Sequence, residues 1–233
     1  MSSIITVKNL KKRIGNRQIL NGIDFELESG RVIGLLGPNQ SGKTTLFKTI
    51  MNICHADSGN IQICGQPSES QTIKYISYMP DRNHLFPWMR VVDAMNYYSD
   101  MFSDFDMSYA KELCSFLKIN EKDKIKTLSK GMIERVLIML TFSRRARLYL
   151  LDEPFGGTDP LARNQIMKTI FRGQSEDSTI LISTHQVKDV ETLLDEVIFL
   201  NQGKVIFSET AENIRECHNQ SIEECYLEVF QNA

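Results

Sequence analysis

Long hydrophobic runs are missing from this sequence. No apolar stretch approaches the roughly 20 residues that a membrane-spanning helix needs. The segment 1–8 also lacks the pattern of a secretory signal peptide. We therefore expect that another chain spans the membrane if the protein acts at one.

An excess of one charge sign is also missing, since the formal net charge is −2. A surface that binds duplex nucleic acid normally shows a basic excess, so we expect no nucleic-acid partner. Three neighbouring basic residues, Arg144, Arg145 and Arg147, are interpreted as a solvated helix end.

Closely spaced cysteines and histidines are absent too. The five cysteines form no Cys-x-x-Cys pair, which favours reduced structural thiols in a cytosolic protein. The four histidines are too scattered to indicate a metal cluster; they are His55, His84, His185 and His218.

What is present indicates a layered α/β protein. A chain of 233 residues is long enough for one well-buried α/β domain. Alternating apolar residues predict a strand at 23–27, and short apolar runs predict buried strands at 32–36, 148–151 and 180–183. A helix is predicted at 44–51. Because ligands bind at the carboxyl ends of parallel strands, we expect the functional residues there.

The remaining segments suggest smaller units. Helical periodicity at Ala110, Leu113 and Leu117 makes the segment 82–145 a helical insertion. The segments 197–200 and 205–207, joined by Asn201-Gln202-Gly203-Lys204, predict a hairpin. Ser221 and Glu224 form a capping-box pattern, which predicts a closing helix at 222–230.

A glycine-rich segment matches the phosphate-loop pattern G-x-x-x-x-G-K-[ST] without a mismatch. In such a loop the backbone N–H groups surround phosphate oxygens at the positive end of the following helix. The lysine reaches the β- and γ-phosphates and the hydroxyl ligates magnesium. A chance turn is disfavoured because the motif follows a predicted strand and opens a predicted helix. The segment reads Gly37, Pro38, Asn39, Gln40, Ser41, Gly42, Lys43, Thr44 and Thr45.

Two carboxylates and a histidine follow the other buried strands. Asp152 suits a hard oxygen ligand for magnesium, and Glu153 suits a general base for the attacking water. His185 ends the next strand, where it would contact the γ-phosphate and that water. A lone acidic pair is more often a solvated turn and a lone histidine more often structural, so these roles depend on the phosphate loop nearby.

A second candidate anion site lies at Leu128-Ser129-Lys130-Gly131-Met132. Ser129 and Gly131 stand at the start of a predicted helix, whose N-terminal N–H groups and dipole favour an anion. An ordinary helix N-cap at Ser129 explains the same residues. Taken alone, the motif favours the ordinary N-cap, but its position just before Asp152 resembles that of the signature in one family of ATPases.

In this order the motifs resemble the ATP-binding cassette (ABC) family of transporter ATPases over essentially the whole chain. The resemblance makes 37–45 the Walker A motif, 148–152 Walker B, Glu153 the catalytic base, 128–132 the signature, 157–159 the D-loop and His185 the switch histidine. Lys43 joins Glu153 and His185 as a catalytic residue. ATP and Mg²⁺ are the implied ligands.

The resemblance also implies architecture and partners. It predicts a RecA-like P-loop NTPase core, about 1–81 and 146–233, with an N-terminal antiparallel β subdomain and an inserted helical subdomain, about 82–145. Family members work as head-to-tail dimers, so we expect a homodimer, or a heterodimer with a second ATPase, closing on ATP. A separate transmembrane permease subunit would hold the protein, otherwise cytoplasmic, against the inner face of the cell membrane.

Three positions depart from the family pattern. Asp81 replaces the usual glutamine and places a carboxylate near the magnesium. Ile14 stands where an aromatic ring usually stacks on adenine, and Met132 replaces the last signature residue, glutamine. These departures, with the segment Phe102-Ser103-Asp104-Phe105-Asp106, resemble single-cassette bacterial exporters, some of which export amphipathic or antimicrobial peptides.

Two other classes of protein fit the sequence less well. A soluble cassette ATPase acting on DNA or the ribosome would carry a coiled-coil insertion or a second cassette, and this chain has neither. A P-loop kinase or GTPase would leave 128–132 unexplained, and the guanine motif Asn-Lys-x-Asp is absent.

We expect Trp88 at the surface as part of a docking site, while Phe86 fits a surface or a core position equally well.

Overall fold

The computed structural model describes residues 3–69, 71–157, 159–173, 175–217 and 219–231. His218 and the D-loop residue Thr158, both named above, lie outside these ranges. Among the helices so described, none is long and apolar enough to cross a membrane.

An antiparallel sheet forms the amino-terminal part of the chain. Its strands are β1 (Ser3–Ile14), β2 (Arg17–Glu28), β4 (Ser58–Ile63) and β5 (Gln66–Pro67), in the order β2-β1-β4-β5. The predicted strand at 23–27 lies within β2, and the antiparallel β subdomain expected from the resemblance is present.

A six-stranded sheet carries the rest of the core, in the order β10-β9-β3-β8-β7-β6. Its first five strands in sequence run parallel, and β10 closes it as an antiparallel edge. They are β3 (Val32–Leu36), β6 (Ile76–Met79), β7 (Leu148–Asp152), β8 (Thr179–Thr184), β9 (Glu196–Asn201) and β10 (Lys204–Thr210). Every residue of β3, β7 and β8 is buried, which explains their continuous apolar runs.

Seven helices accompany the sheets in the described ranges. α2 (Val91–Met101), α3 (Met107–Phe116) and α4 (Lys130–Phe142) lie within the predicted helical insertion. The others are α1 (Lys43–Ile50), α5 (Pro160–Gly173), α6 (Ala211–Cys217) and α7 (Ile222–Gln231). Short 3-10 turns lie at Ile73–Tyr75, Ile125–Thr127, Val187–Asp189 and Glu191–Leu193.

The parallel sheet separates two apolar cores, because successive strand residues point to opposite faces. Ile33 and Leu35 pack with α1 and the antiparallel sheet. Val32 and Leu36 face the other core, which includes residues of all three helices of the insertion. The phosphate loop therefore starts from a strand that is fixed on both faces.

The turn predictions are confirmed. β9 and β10 form the hairpin, and α7 begins directly after Ser221. The Ser221 backbone N–H donates to Glu224 Oε2 at 2.8 Å and the Glu224 N–H donates to Ser221 Oγ at 3.1 Å, the two bonds of a capping box.

The interpretation of Arg144 as part of a solvated helix end is wrong. Its side chain is only 4% exposed and forms an ion pair with Asp104 at 3.0 Å. The guanidinium also donates to the carbonyls of Ile76 and Lys74 and lies 3.9 Å from the centroid of the Phe102 ring. Burial is possible because donors and charge are all paired, so Arg144 links the helical insertion to the start of β6.

We predict that Arg144→Met lowers the free energy of unfolding by about 3 kcal/mol, because it leaves Asp104 and two carbonyls without their partner. The matched control is Arg145→Met. Arg145 pairs with Asp106, but its side chain is 79% exposed, so the loss should stay below about 1 kcal/mol. Urea denaturation of both variants measures the difference, and equal losses would contradict the role of Arg144.

Candidate nucleotide-binding site

The predicted site residues meet at the carboxyl edge of the parallel sheet. Gly37 follows β3, Asp152 ends β7 and Thr184 ends β8. The strand register pairs Leu36 with Thr184 and Asp152 with Ser183, so the three strand ends lie side by side. This is the edge at which parallel α/β sheets bind ligands.

The phosphate loop is held in a conformation that few side chains tolerate. The Gly37 N–H donates to the Thr184 carbonyl at 3.3 Å, and a Cβ at Gly37 would collide with the Leu200 carbonyl. Gly42 has φ +114° and forms the N-cap of α1 without a side-chain cap. The N-terminal N–H groups of α1 are therefore available to an anion.

Lys43 is buried and lies against the loop itself. Its Nζ donates to the carbonyls of Gly37 at 2.7 Å and Pro38 at 3.1 Å, and lies 3.7 Å from Glu153 Oε1. Burial lowers the pKa of Lys43, while the charges of Glu153 and Asp152 raise it in part. The ammonium is thus a nearly desolvated cation at the N-terminus of α1, where a phosphate would be favoured.

Asp152 is fully buried at the end of β7. The Ser183 hydroxyl donates to its Oδ1, whereas Oδ2 accepts no hydrogen bond of ordinary geometry from any residue that the structure describes. Burial raises the pKa of Asp152, and the hydroxyls of Ser183 and Thr44 hold it down. A buried carboxylate oxygen whose neighbours are the hydroxyls of Thr44 and Tyr78, at more than ordinary hydrogen-bond geometry, fits a site for a hard cation.

Glu153 collects the remaining contacts of the site. Its φ of +50° places it in the left-handed region, which is unusual for a residue with a side chain. Its Oε2 accepts from Thr184 Oγ1 at 3.1 Å, and its Oε1 lies 3.0 Å from His185 Nδ1. The predicted base and the predicted switch histidine are therefore in direct contact.

A cavity of about 370 Å³ opens between these elements. Asp81 lines it together with Glu153 and the loop, and its charge acts on the buried Asp152. Ile14 is not among the lining residues: it ends β1 beside the turn and is 55% exposed. The complete lining is Arg17, Ile19, Asn39, Gln40, Ser41, Gly42, Lys43, Thr44, Thr45, Asp81 and Glu153.

The signature lies outside this cavity, at the N-terminus of α4. Ser129 is the N-cap, and its Oγ accepts from the Met132 N–H at 3.3 Å. The ordinary capping interpretation is thus correct as local structure. Gly131 lies in the first turn, and Met132 packs partly buried against the apolar core. In the described part of one chain, Ser129 and Gly131 therefore do not line the cavity that Lys43 lines.

Sequence reasoning assigned no role to several residues of the site. Ser183 and Thr184 orient the two carboxylates, and the signal for them was their position at the end of β8, in register with Asp152. Arg17 and Ile19 line the cavity from β2. No signal in the sequence pointed to them, because β2 reaches this edge only through the packing of the two sheets.

Comparison with known proteins gives the same result as the geometry. The family model described as ABC transporter matches residues 20–156. Over 208 residues the chain is 32% identical to the ABC transporter ATP-binding protein YtrB of Bacillus subtilis. The alignment covers 87% of this chain and 70% of that protein. The chain is 30% identical to the lantibiotic transport ATP-binding protein SrtF of Streptococcus pyogenes, covering 94% of this chain and 97% of that one.

A solved structure of the ATP-binding subunit of an ABC transporter superposes with a TM-score of 0.87 at 24% identity, covering 97% of this chain and 99% of that one. The chain belongs to the ABC transporter family. It is an ATP-binding subunit of that family, whose cassettes hydrolyse ATP to power transport and partner with transmembrane permeases. The predicted fold class and family are confirmed.

Proposed function

We propose that this chain is the ATPase subunit of an exporter, bound to a separate transmembrane subunit on the inner face of the cytoplasmic membrane. The observation that carries the ATPase activity in this proposal is the placement of Glu153, whose carboxylate lies among Lys43, Thr184 and His185 and lines the cavity. A carboxylate fixed beside a phosphate-binding cation is suited to orient and deprotonate a water attacking the γ-phosphate.

Each residue then has a chemical task. The N–H groups at the start of α1 and the ammonium of Lys43 bind the phosphates, and Lys43 exchanges its carbonyl partners for phosphate oxygens. Glu153 Oε1 takes the proton of the attacking water, and His185 orients that carboxylate and contacts the γ-phosphate. The contacts with Thr184 and His185 keep the base in place before ATP binds, despite the unfavourable backbone conformation at Glu153.

Magnesium fits the oxygen-rich corner of this site. Thr44, Asp152 and Asp81 would hold Mg²⁺, which supplies charge neutralisation for the phosphates when bound. The buried Oδ2 of Asp152 supports this assignment, because it accepts no hydrogen bond of ordinary geometry from the described residues. Asp81 would contribute a full charge where an amide is usual in the family. Ile14 would contribute apolar contact to the adenine, from a position just outside the cavity lining.

A second ATPase subunit completes the site in this proposal. Ser129 and Gly131 are not among the described residues that line the cavity of their own chain, and in this proposal they bind the ATP held by the partner. Ser129 has no acidic neighbour in the first turn of α4 to repel a phosphate. Closure on ATP thus joins the phosphate loop of one subunit to the signature of the other, in a homodimer or a heterodimer.

The cargo is inferred from relatives. SrtF is named as a lantibiotic transport protein, and it matches this chain along nearly its full length. We infer a role in the export of amphipathic or antimicrobial peptides. Affinity purification from membranes tests the partner: recovery of a hydrophobic integral protein supports the proposal, and recovery of ribosomes or nucleic acid in its place contradicts it.

Glu153→Gln should retain ATP binding but lower the hydrolysis rate by roughly 10²–10⁴, the usual contribution of a general base. The measurement is steady-state phosphate release together with nucleotide binding. The control is Glu196→Gln, which changes a carboxylate paired with Arg31 on the sheet but outside the site and should leave the rate nearly unchanged. Hydrolysis by Glu153→Gln at the parent rate would falsify the assignment of the base.

The permease contact is proposed at the segment between Asp81 and α2. Phe86 and Trp88 are 52% and 66% exposed, and their rings stack with centroids 5.8 Å apart. Met89 is buried, donates its backbone N–H to the Phe86 carbonyl at 3.1 Å and accepts a backbone hydrogen bond from Ile125 at 2.9 Å. Two exposed, stacked aromatic rings on an anchored turn suit an interface centre, where tryptophan is enriched.

We predict that Trp88→Ala weakens assembly with the membrane subunit by about 2 kcal/mol or more, the scale of an interface hot spot. ATP binding and the melting temperature of the isolated subunit should hardly change. Phe171→Ala is the matched control, since Phe171 is 68% exposed on α5. Equal loss of assembly in both variants, or a loss of roughly 3–5 kcal/mol in the isolated Trp88→Ala subunit as for a core residue, would reject this docking site.

A further inference from the structure

The lysine of the signature makes a contact within its own chain. Lys130 is the first residue of α4, and its Nζ donates to the carbonyl of Gly156. Gly156 belongs to the turn that follows Glu153, and its own N–H donates to the Glu153 carbonyl at 3.1 Å. The start of the signature helix is therefore joined to the catalytic turn by two successive hydrogen bonds.

The turn is shaped to receive this lysine. A Cβ at Gly157 would lie 2.6–2.7 Å from Cδ, Cε and Nζ of Lys130, so a larger residue there would displace the side chain. A cation at the first position of a helix is opposed by the helix dipole, and α4 has no acid in its first turn to offset it. The Gly156 carbonyl compensates the ammonium instead.

An alternative partner lies one turn further along α4. Glu134 is 8% exposed, and its Oε2 is buried without a hydrogen bond from any described residue. Burial raises the pKa of Glu134, and the Lys130 charge lowers it in part. The ammonium nevertheless donates its hydrogen bond to the Gly156 carbonyl. This hydrogen bond and the electrostatic interaction with Glu134 therefore require separate tests.

We propose that Lys130 is a positioning residue that couples the helical insertion to the catalytic base through Gly156. This rests on the proposed role of Glu153 in hydrolysis. Glu153 has an unfavourable φ of +50°, so its orientation depends on the contacts that hold its turn. On one side the Glu153 N–H is fixed to the Ser183 carbonyl at 3.0 Å. On the other side Lys130 holds Gly156.

The coupling has a mechanical consequence. α4 belongs to the helical insertion and also carries Ser129, which the proposed dimer places on the partner's ATP. Any displacement of α4 is transmitted through Lys130 to the turn of Glu153 in the same chain. One subunit would thus align its own base according to how its signature is engaged.

Two variants separate the hydrogen bond from the side chain's bulk. Lys130→Met keeps a long chain but removes the donor, and Lys130→Arg keeps a charged donor. In the nucleotide-free isolated subunit, Lys130→Met should accelerate hydrogen exchange at the Gly156 and Gly157 amides by about threefold or more, the effect of losing a modest hydrogen bond. Lys130→Arg should restore protection, and Lys111→Met, on the exposed face of α3, should leave it unchanged.

Steady-state kinetics of ATP hydrolysis provide a second test of the role of Lys130. Lys130→Met should lower kcat by about tenfold while KM for ATP stays within about twofold, because alignment of the base and not ATP binding is changed. Unchanged exchange in Lys130→Met, combined with a higher KM, would overturn the proposal and indicate a direct phosphate contact. Faster exchange in Glu134→Gln, matching that of Lys130→Met, would overturn it by assigning the effect to Glu134.

Discussion

The pairing of β3, β8 and β7 in parallel register is the constraint on which the whole site depends. It places the ends of three buried strands at one edge, so that Gly37, Asp152 and Thr184 leave the sheet as neighbours. Both faces of these strands are packed against apolar cores. The polar groups at the edge are therefore held by strands that are closely packed on both faces.

This rigidity allows charges to be kept close together before any ligand binds. Lys43, Asp152 and Glu153 share a small volume, and burial acts against the charged forms of Lys43 and Asp152. Hydroxyl groups from β8 offset part of that cost by donating to the carboxylates. In the proposed function, the site exchanges these internal contacts for phosphate and metal, as catalysis by electrostatic preorganisation requires.

Much of this could be predicted from the sequence, because buried parallel strands appear as short apolar runs and the phosphate loop has fixed spacing. β3 was located with its observed bounds, and the hairpin and α7 followed from local turn and capping signals. Arg144 could not be read correctly, since its burial depends on Asp104, which lies 40 positions away in sequence. The partners of Glu153 and Lys130 were also hidden, because they are set by tertiary packing.

We propose that one chain provides the phosphate-binding edge while its signature binds the ATP held by a second chain. Hydrogen exchange in Glu153→Gln, with and without ATP at a low and a high subunit concentration, tests it most directly. We expect that ATP protects the amides of 37–45 at both concentrations but protects those of 129–131 only at the high concentration. Protection of 129–131 at the low concentration, equal to that of the phosphate loop, would contradict it.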